Sequence, residues 1–154
     1  MSVQIVLGSK SDMKVAEKAI SVLKELGLKY KINIASAHRT PELVDRLVAE
    51  ADAEVFIAIA GLSAALPGAI ASRTIKPVIG VPVGGTLNLD AILSVVQMPP
   101  GIPVAGVGLD RGDNAALLAA AILSLKDEKV AAALKRYRQK LKDKVVQDSK
   151  EVEA

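Results

Sequence analysis

The sequence predicts an α/β protein in which a doubly wound parallel sheet is covered by helices. Short apolar runs alternate with helical patterns along the chain, which is typical of repeated βα units. Hydrophobic residues make up 51% of the 154 residues but aromatic residues only 2%. The core must therefore consist of Val, Ile, Leu and Ala, the residues of buried parallel strands and the helices that cover them. The length fits a single domain with one core.

Five strands are predicted from short apolar runs bounded by turn-forming residues. They lie at 3–7, 32–35, 55–60, 78–81 and 104–107. In a doubly wound sheet, ligands bind outside the carboxyl ends of the strands, at the point where the strand order reverses. The segments that directly follow the strands are therefore the candidates for a functional site.

Six helices are predicted between and after these strands. The first ends at Gly27, since glycine suits the left-handed residue that follows a helix. The second begins at Thr40, with the hydroxyl at the N-cap and Pro41 in the first turn. The others are expected from after Gly61 to 71, at 89–96 and 115–125, and from 130 to about 147, beyond which a polar tail frays.

The last predicted helix has an apolar stripe on an otherwise basic surface. The stripe consists of Val130, Leu134, Tyr137, Leu141 and Val145. Residues 126–146 hold eight basic and three acidic groups, whereas 1–125 are balanced with 11 of each and 147–154 hold one basic and three acidic groups. The positive net charge of +3 therefore comes from the last helix. Without interleaved aromatic residues, such a face indicates a solvated helix, and no nucleic-acid partner is expected. We expect a catalytic domain at 1–125, with the segment 126–154 packed on the same or a neighbouring subunit.

Several classes of function are excluded or disfavoured by composition. The chain has no cysteine, which excludes disulfides, thiolate catalysis and iron–sulfur clusters. It has one histidine, and no cluster of carboxylates suggests a metal site, so no metal is expected. The beginning of the sequence lacks the pattern of a signal peptide, and no apolar run is long enough to span a membrane. We therefore expect a cytoplasmic protein with no membrane partner.

The segment after the first strand reads Gly8-Ser9-Lys10-Ser11-Asp12 and leads into a helix. Exposed amide groups at a helix N-terminus favour an anion, and the two serine hydroxyls can donate to phosphate oxygens. Asp12 would repel a phosphate but can accept from ribose hydroxyls. The alternative is a turn before a capped helix with no ligand.

The segment after the second strand reads Ser36-Ala37-His38-Arg39-Thr40-Pro41. Arginine can hold a phosphate or carboxylate through two parallel hydrogen bonds, and histidine can exchange a proton near neutral pH. A single loop histidine is often structural. Its position beside Arg39, at the same sheet edge as the serine loop, favours a functional role.

The segment after the third strand, 60–68, is made of small and apolar residues without an ionisable group. It suits an uncharged planar ring or a small gas, or equally the close packing of a helix on a strand. Gly84-Gly85-Thr86 and residues 97–103 are irregular segments that favour either lids or subunit contacts.

These motifs together resemble the carboxyaminoimidazole ribonucleotide mutase and phosphoribosylaminoimidazole carboxylase family of purine biosynthesis. The resemblance covers about 3–125 and includes the two segments above, Ala65-Leu66-Pro67-Gly68, residues 77–83, Val96-Gln97-Met98-Pro99 and residues 114–120. It implies a three-layer flavodoxin-like domain, a homo-octamer with sites at subunit contacts, and no cofactor. The implied product is 4-carboxy-5-aminoimidazole ribonucleotide.

The resemblance also implies roles for particular residues. His38 would be the general acid/base. Substrate contacts are implied in the first three loops. Ser9, Ser11 and Asp12 would hold the ribose phosphate end, Arg39 the phosphate, and Ser36 and the Gly61 loop the base and carboxylate.

Two activities are open, and they differ in the source of the carboxyl group. Arg39-Thr40-Pro41 resembles the mutases, which are isomerases that release CO2 from an N5-carboxylated substrate and recapture it at C4. Ala65 stands where bacterial mutases commonly have a second histidine, which favours the carboxylases, lyases that use CO2 directly. The sequence favours the mutase. An alternative of another class is a non-catalytic nucleotide-binding module.

Overall fold

The computed structural model describes residues 2–86 and 88–153, so that Met1, Leu87 and Ala154 lie outside it. It contains a five-stranded parallel sheet with the order β2-β1-β3-β4-β5. The strands are Ser2–Leu7 (β1), Lys29–Ile34 (β2), Val55–Ala60 (β3), Val78–Pro82 (β4) and Ala105–Gly106 (β5). This is the flavodoxin-like order, with its reversal between β1 and β3. The predicted fold class is confirmed.

Helices connect successive strands and follow the last one. They are α1 (Met13–Glu25), α2 (Pro41–Glu50), α3 (Leu66–Ala71), α4 (Asn88–Val96), α5 (Gly112–Leu123) and α6 (Glu128–Glu153). The helix ends predicted at Gly27 and Pro41 are confirmed, since Gly27 has a φ of 71° and Pro41 is the first residue of α2. None of the described helices combines the length and the hydropathy that crossing a bilayer requires.

Several boundaries differ from the prediction. Helix α3 begins at Leu66 rather than directly after Gly61, and helix α5 spans Gly112–Leu123 rather than 115–125. Strand β2 begins at Lys29 rather than Ile32, because its exposed lysines alternate with half-buried residues and an apolar run marks only its end. Strand β5 is two residues long rather than four. Helix α6 does not fray after Gln147 but continues to Glu153. Side-chain pairs at i and i+4, such as Gln147 with Glu151, support this extension.

The sheet lies between two layers of helices, which gives the three layers expected. Alternate residues of β1 and β3 point to opposite faces, so Ile5 and Ile57 join one core and Val6 and Phe56 the other. Helices α1 and α5 and the start of α6 cover the first face, and α2, α3 and α4 cover the second. These layers leave the carboxyl edge of the sheet to its connecting loops.

The apolar stripe of α6 is only partly covered by its own domain. Val130 and Leu134 are buried against the first core and Tyr137 is half-buried. Further along, Leu141 is 46% exposed and Val145 is 67% exposed. The first half of the helix therefore packs on its own chain, and the second half presents apolar side chains to solvent.

Candidate active site

A cavity of about 580 Å³ opens at the carboxyl ends of β1 to β4. This volume lies within the range of sites for small molecules. All seven residues proposed from the sequence lie in its wall: Ser9, Ser11, Asp12, Ser36, His38, Arg39 and Gly61. The structure thus brings the first three loops together at the reversal of strand order, although their individual roles stay predictions.

The first loop is held by backbone and hydroxyl hydrogen bonds. The amide of Gly8 donates to the carbonyl oxygen of Ile59 in β3 at 2.9 Å. The hydroxyl of Ser9 caps a short 3₁₀ turn at 10–12 by accepting from the amide of Ser11, and the two serine hydroxyls are 2.9 Å apart. Ser9 therefore precedes the 3₁₀ turn and Ser11 lies within it, so both serines come before α1 itself.

Asp12 is a buried carboxylate in the cavity wall. It is 6% exposed, and its Oδ1 accepts from the Ser11 hydroxyl at 3.3 Å. Burial raises the pKa of the Asp12 carboxyl above its ordinary value, while hydrogen bonds from Ser11 and the Ser9 backbone and the charge of Arg39 act in the opposite direction. Asp12 is therefore a strong hydrogen-bond acceptor held close to the ligand space.

The second loop is a closed turn between β2 and α2. The amide of Thr40 donates to the carbonyl oxygen of Ser36 at 2.9 Å, and the Thr40 hydroxyl accepts from the Ser36 amide at 2.9 Å. The prediction that this hydroxyl caps α2 is wrong, because Thr40 stands at the N-cap but its side chain bonds back to Ser36. His38 lies within this turn and is exposed.

Arg39 joins the second loop to the first. Its Nε donates to the Ser36 hydroxyl at 3.2 Å, and its Nη2 donates to the carbonyl oxygen of Gly8 at 3.1 Å. A guanidinium has five N–H groups, so these two bonds fix its plane and leave three donors for other acceptors.

The third loop forms an uncharged part of the wall with a strained backbone. Leu62 and Ala64 adopt φ values of 53° and 34°, in the left-handed region that non-glycine residues rarely enter. The amide of Ala64 donates to the carbonyl oxygen of Gly61 at 2.9 Å, which closes a tight turn. Such strain costs of order 1–3 kcal/mol for each residue and is concentrated at functional sites.

The segment after β4 completes the wall, as the general rule for segments that follow strands allowed. Val83, Gly84 and Gly85 line the cavity. The sequence predicted that Gly84 and Gly85 belong to a lid or a subunit contact. Their turn-forming character did not indicate which residue of the chain forms a hydrogen bond with this segment. That residue is Asp110, whose Oδ1 accepts from the amide of Gly84 at 2.9 Å.

The other irregular segment lies away from this cavity. Gly101, Ile102 and Pro103 line a separate open cavity of about 790 Å³ together with residues 71–78, before β4 and β5 begin. This cavity is thus at the amino ends of the strands, opposite the seven candidate residues. Within the described ranges, no three His, Cys, Asp or Glu side chains form a group suited to a metal ion.

The fold and the cavity define a flavodoxin-like α/β protein with a polar site at the switch point of its sheet. Comparison with known proteins narrows this class. The family model described as AIR carboxylase matches residues 2–144. The N5-carboxyaminoimidazole ribonucleotide mutase of Methanocaldococcus jannaschii is 60% identical over 149 residues, which are 96% of this chain and 95% of that protein.

Two further proteins support the same relationship. The probable N5-carboxyaminoimidazole ribonucleotide mutase of Methanobrevibacter smithii is 51% identical over 97% of this chain and 45% of its own length. The crystal structure of Treponema denticola PurE matches with a TM-score of 0.90 and 37% identity, over 99% of both chains. This chain belongs to the AIR carboxylase family.

Proposed function

We propose that this protein is an N5-carboxyaminoimidazole ribonucleotide mutase that acts in de novo purine biosynthesis in the cytoplasm. The observation that carries the proposal is the cavity at the β1/β3 switch point, where Arg39, the serine loop and the single histidine of the chain share one wall. The printed activities of relatives up to 60% identical over nearly the whole chain support it.

The substrate would bind with its ribose phosphate between the first two loops. Arg39 has three N–H donors left after bonding Ser36 and Gly8, and these suit a phosphate. The hydroxyls of Ser9 and Ser11 are close enough to act on one anion, and the buried Asp12 would accept from ribose hydroxyls. Ser36 and the Gly61 loop would then contact the base and its carboxylate.

His38 would transfer the proton in both halves of the reaction. Protonated His38 gives a proton to the exocyclic nitrogen as the N–C bond to the carboxylate breaks and CO2 leaves. C4 then attacks the CO2 carbon, and neutral His38 removes the surplus proton from C4. The two transfers cancel, so a single histidine returns to its starting state and no second acid or base is required.

The uncharged third loop would retain the CO2 between these steps. Gly61, Ala64 and Ala65 bring backbone groups and small side chains, and no ionisable group, to this part of the wall. A wall of this kind binds a small apolar gas without hydrating it and limits its escape.

Neighbouring subunits would complete the site in a homo-octamer. His38 and Arg39 are exposed in the single chain, as are Leu141 and Val145 in the second half of α6. A neighbouring copy packed on these surfaces would cover the apolar stripe and shield the cavity from water.

The carboxyl donor distinguishes this proposal from direct carboxylation. Purified protein is given either N5-carboxyaminoimidazole ribonucleotide, or aminoimidazole ribonucleotide with bicarbonate at the same concentration. We expect rapid formation of 4-carboxy-5-aminoimidazole ribonucleotide from the first substrate only. Turnover only with the second would show a CO2-dependent carboxylase, and nucleotide binding without turnover of either would show a binding module.

A further inference from the structure

Asp110 has an unfavourable backbone conformation and a hydrogen bond into the cavity wall. It follows β5 and precedes α5, and its φ is 56°. A non-glycine residue in this region costs about 1 kcal/mol or more, less for aspartate and asparagine than for most residues. Glycine would fit this backbone better, so the side chain of Asp110 is the feature that compensates.

The interactions of Asp110 all connect separate parts of the carboxyl edge. Its amide donates to the carbonyl oxygen of Pro82 at the end of β4, at 2.9 Å. Its carbonyl oxygen accepts from the Nζ of Lys18 in α1 at 3.1 Å. Its Oδ1 accepts from the amide of Gly84 at 2.9 Å. A carboxylate bonded to a backbone amide is among the stronger hydrogen bonds of proteins.

Gly84 is adjacent to the part of the wall where the reaction is proposed. Gly84 has no side chain with which to anchor itself, and both it and Val83 line the cavity. The carbonyl oxygen of Val83 lies only 3.4 Å from the place that a Cβ on Gly61 would take. Because Val83 and Gly84 are adjacent, displacement of Gly84 would disturb this contact between the segment after β4 and the Gly61 turn.

We propose that Asp110 is a positioning residue for this reaction. Its carboxylate fixes the Gly84 amide and so sets the distance between the β4 segment and the Gly61 loop. The proposal rests on the mutase function, and it concerns the geometry around the base and carboxylate rather than binding of the phosphate. Misplacement of about 1 Å at a reacting centre can reduce a rate by up to about a hundredfold.

Two variants separate the carboxylate bond from the backbone conformation. Asp110→Gly relieves the strained φ but removes the acceptor. Asp110→Asn tolerates the same φ and keeps a side-chain oxygen that can accept from Gly84. Asp113→Ala is the control, because the Asp113 carboxylate bonds to its neighbours Arg111 and Asn114 and does not line the cavity.

The experiment measures kcat and KM with N5-carboxyaminoimidazole ribonucleotide, and hydrogen–deuterium exchange of residues 83–85. We expect Asp110→Gly to lower kcat about tenfold with KM changed less than threefold, and to exchange faster at 83–85. Asp110→Asn should keep kcat within about threefold of that of the unmodified protein. Its residues 83–85 should exchange as slowly as those of the unmodified protein. Asp113→Ala should match the unmodified protein in both.

Either of two results overturns the proposal: an unchanged kcat in Asp110→Gly, or an Asp110→Asn variant as slow as Asp110→Gly. If Asp110→Gly does not fold, Asp110→Ala replaces it. Hydrogen–deuterium exchange at 83–85 that is unchanged in Asp110→Ala would also overturn the proposal. The unmodified protein is assayed first. Its failure to turn over this substrate would refute the mutase function itself, which is a different result from normal activity in all variants.

Discussion

The guanidinium of Arg39 donates to the carbonyl oxygen of Gly8 at 3.1 Å, across 31 residues of sequence. This bond ties the loop after β2 to the loop after β1, on one side of the switch point between β1 and β3. Arg39 is thereby oriented before any ligand arrives, and less of its side-chain entropy is lost on binding.

Arg39→Lys should weaken substrate binding much more than it slows turnover. Lysine keeps the charge but loses the fork that bonds Ser36, Gly8 and a phosphate together. We expect KM to rise about ten- to a hundredfold and kcat to fall less than threefold, as measured by steady-state kinetics. Arg46→Lys, an exposed position on α2, is the matched control and should change neither. An unchanged KM in Arg39→Lys would remove Arg39 from the phosphate site.

Asp12→Asn should stabilise the protein at neutral pH while it impairs binding. Because burial raises its pKa, the Asp12 carboxyl favours folding below the ordinary aspartate pKa of about 3.9, and this contribution is lost as pH rises through the raised value. Asparagine has no such loss. We expect a higher Tm than the unmodified protein at pH 7, no gain at pH 4, and a KM raised about tenfold.

The control for this variant is Asp148→Asn, at an exposed position of α6. It should leave Tm and KM unchanged at both pH values. A lower Tm of Asp12→Asn at pH 7 would mean that the buried carboxylate stabilises the fold instead.

Gly112→Ala should separate α1 from α5. A Cβ on Gly112 would collide with the backbone carbonyl of Val15, and neither helix backbone yields as a flexible side chain does. We expect the free energy of unfolding to fall by about 3 kcal/mol, which lowers Tm by roughly 10 °C. Gly27→Ala is the comparison. Alanine would be strained at the left-handed φ of this position but would meet no neighbouring atom, so the free energy of unfolding should fall by only about 1 kcal/mol. Equal losses would contradict the close contact.

The second half of α6 should determine the assembly state. Gln substitution of both Leu141 and Val145 removes exposed apolar side chains and leaves the helix charge unchanged. We expect light scattering to give a smaller particle mass than that of the unmodified protein, with the circular dichroism spectrum preserved. Lys142→Gln introduces the same side chain on an adjacent position and should leave the particle mass unchanged. An unchanged particle mass after the double substitution would place the subunit contacts elsewhere.

Periodicity and turn chemistry predicted the fold because local rules and tertiary structure agree in most elements. The uninterrupted apolar run of β3 and the Thr40-Pro41 helix start are examples. The start of β2 was predicted three residues too late because only part of its alternating pattern is apolar. Its neighbour β1 supplies the pairing that extends it, and pairing across 27 residues leaves no local trace.

The position of residues in the cavity wall was predictable where side chains with distinct chemistry follow a strand, as at His38 and Arg39. It was not predictable where backbone groups form the wall. Gly84 is positioned by Asp110, and nothing in the spacing of these two residues indicates a hydrogen bond between separate loops. The left-handed backbone of Leu62 and Ala64 also escaped prediction, because left-handed turns are ordinarily marked by glycine or asparagine.

The central claim is that His38 transfers the proton between the exocyclic nitrogen and C4, and His38→Asn tests it most directly. Asparagine keeps a polar side chain of similar size but has no group that titrates near neutral pH. We measure kcat with N5-carboxyaminoimidazole ribonucleotide and the Kd for the product nucleotide with the same sample. The account predicts that kcat falls at least about a thousandfold, on the scale of general acid–base catalysis, while Kd changes less than about threefold. A variant that retains kcat within tenfold of the unmodified protein would contradict it.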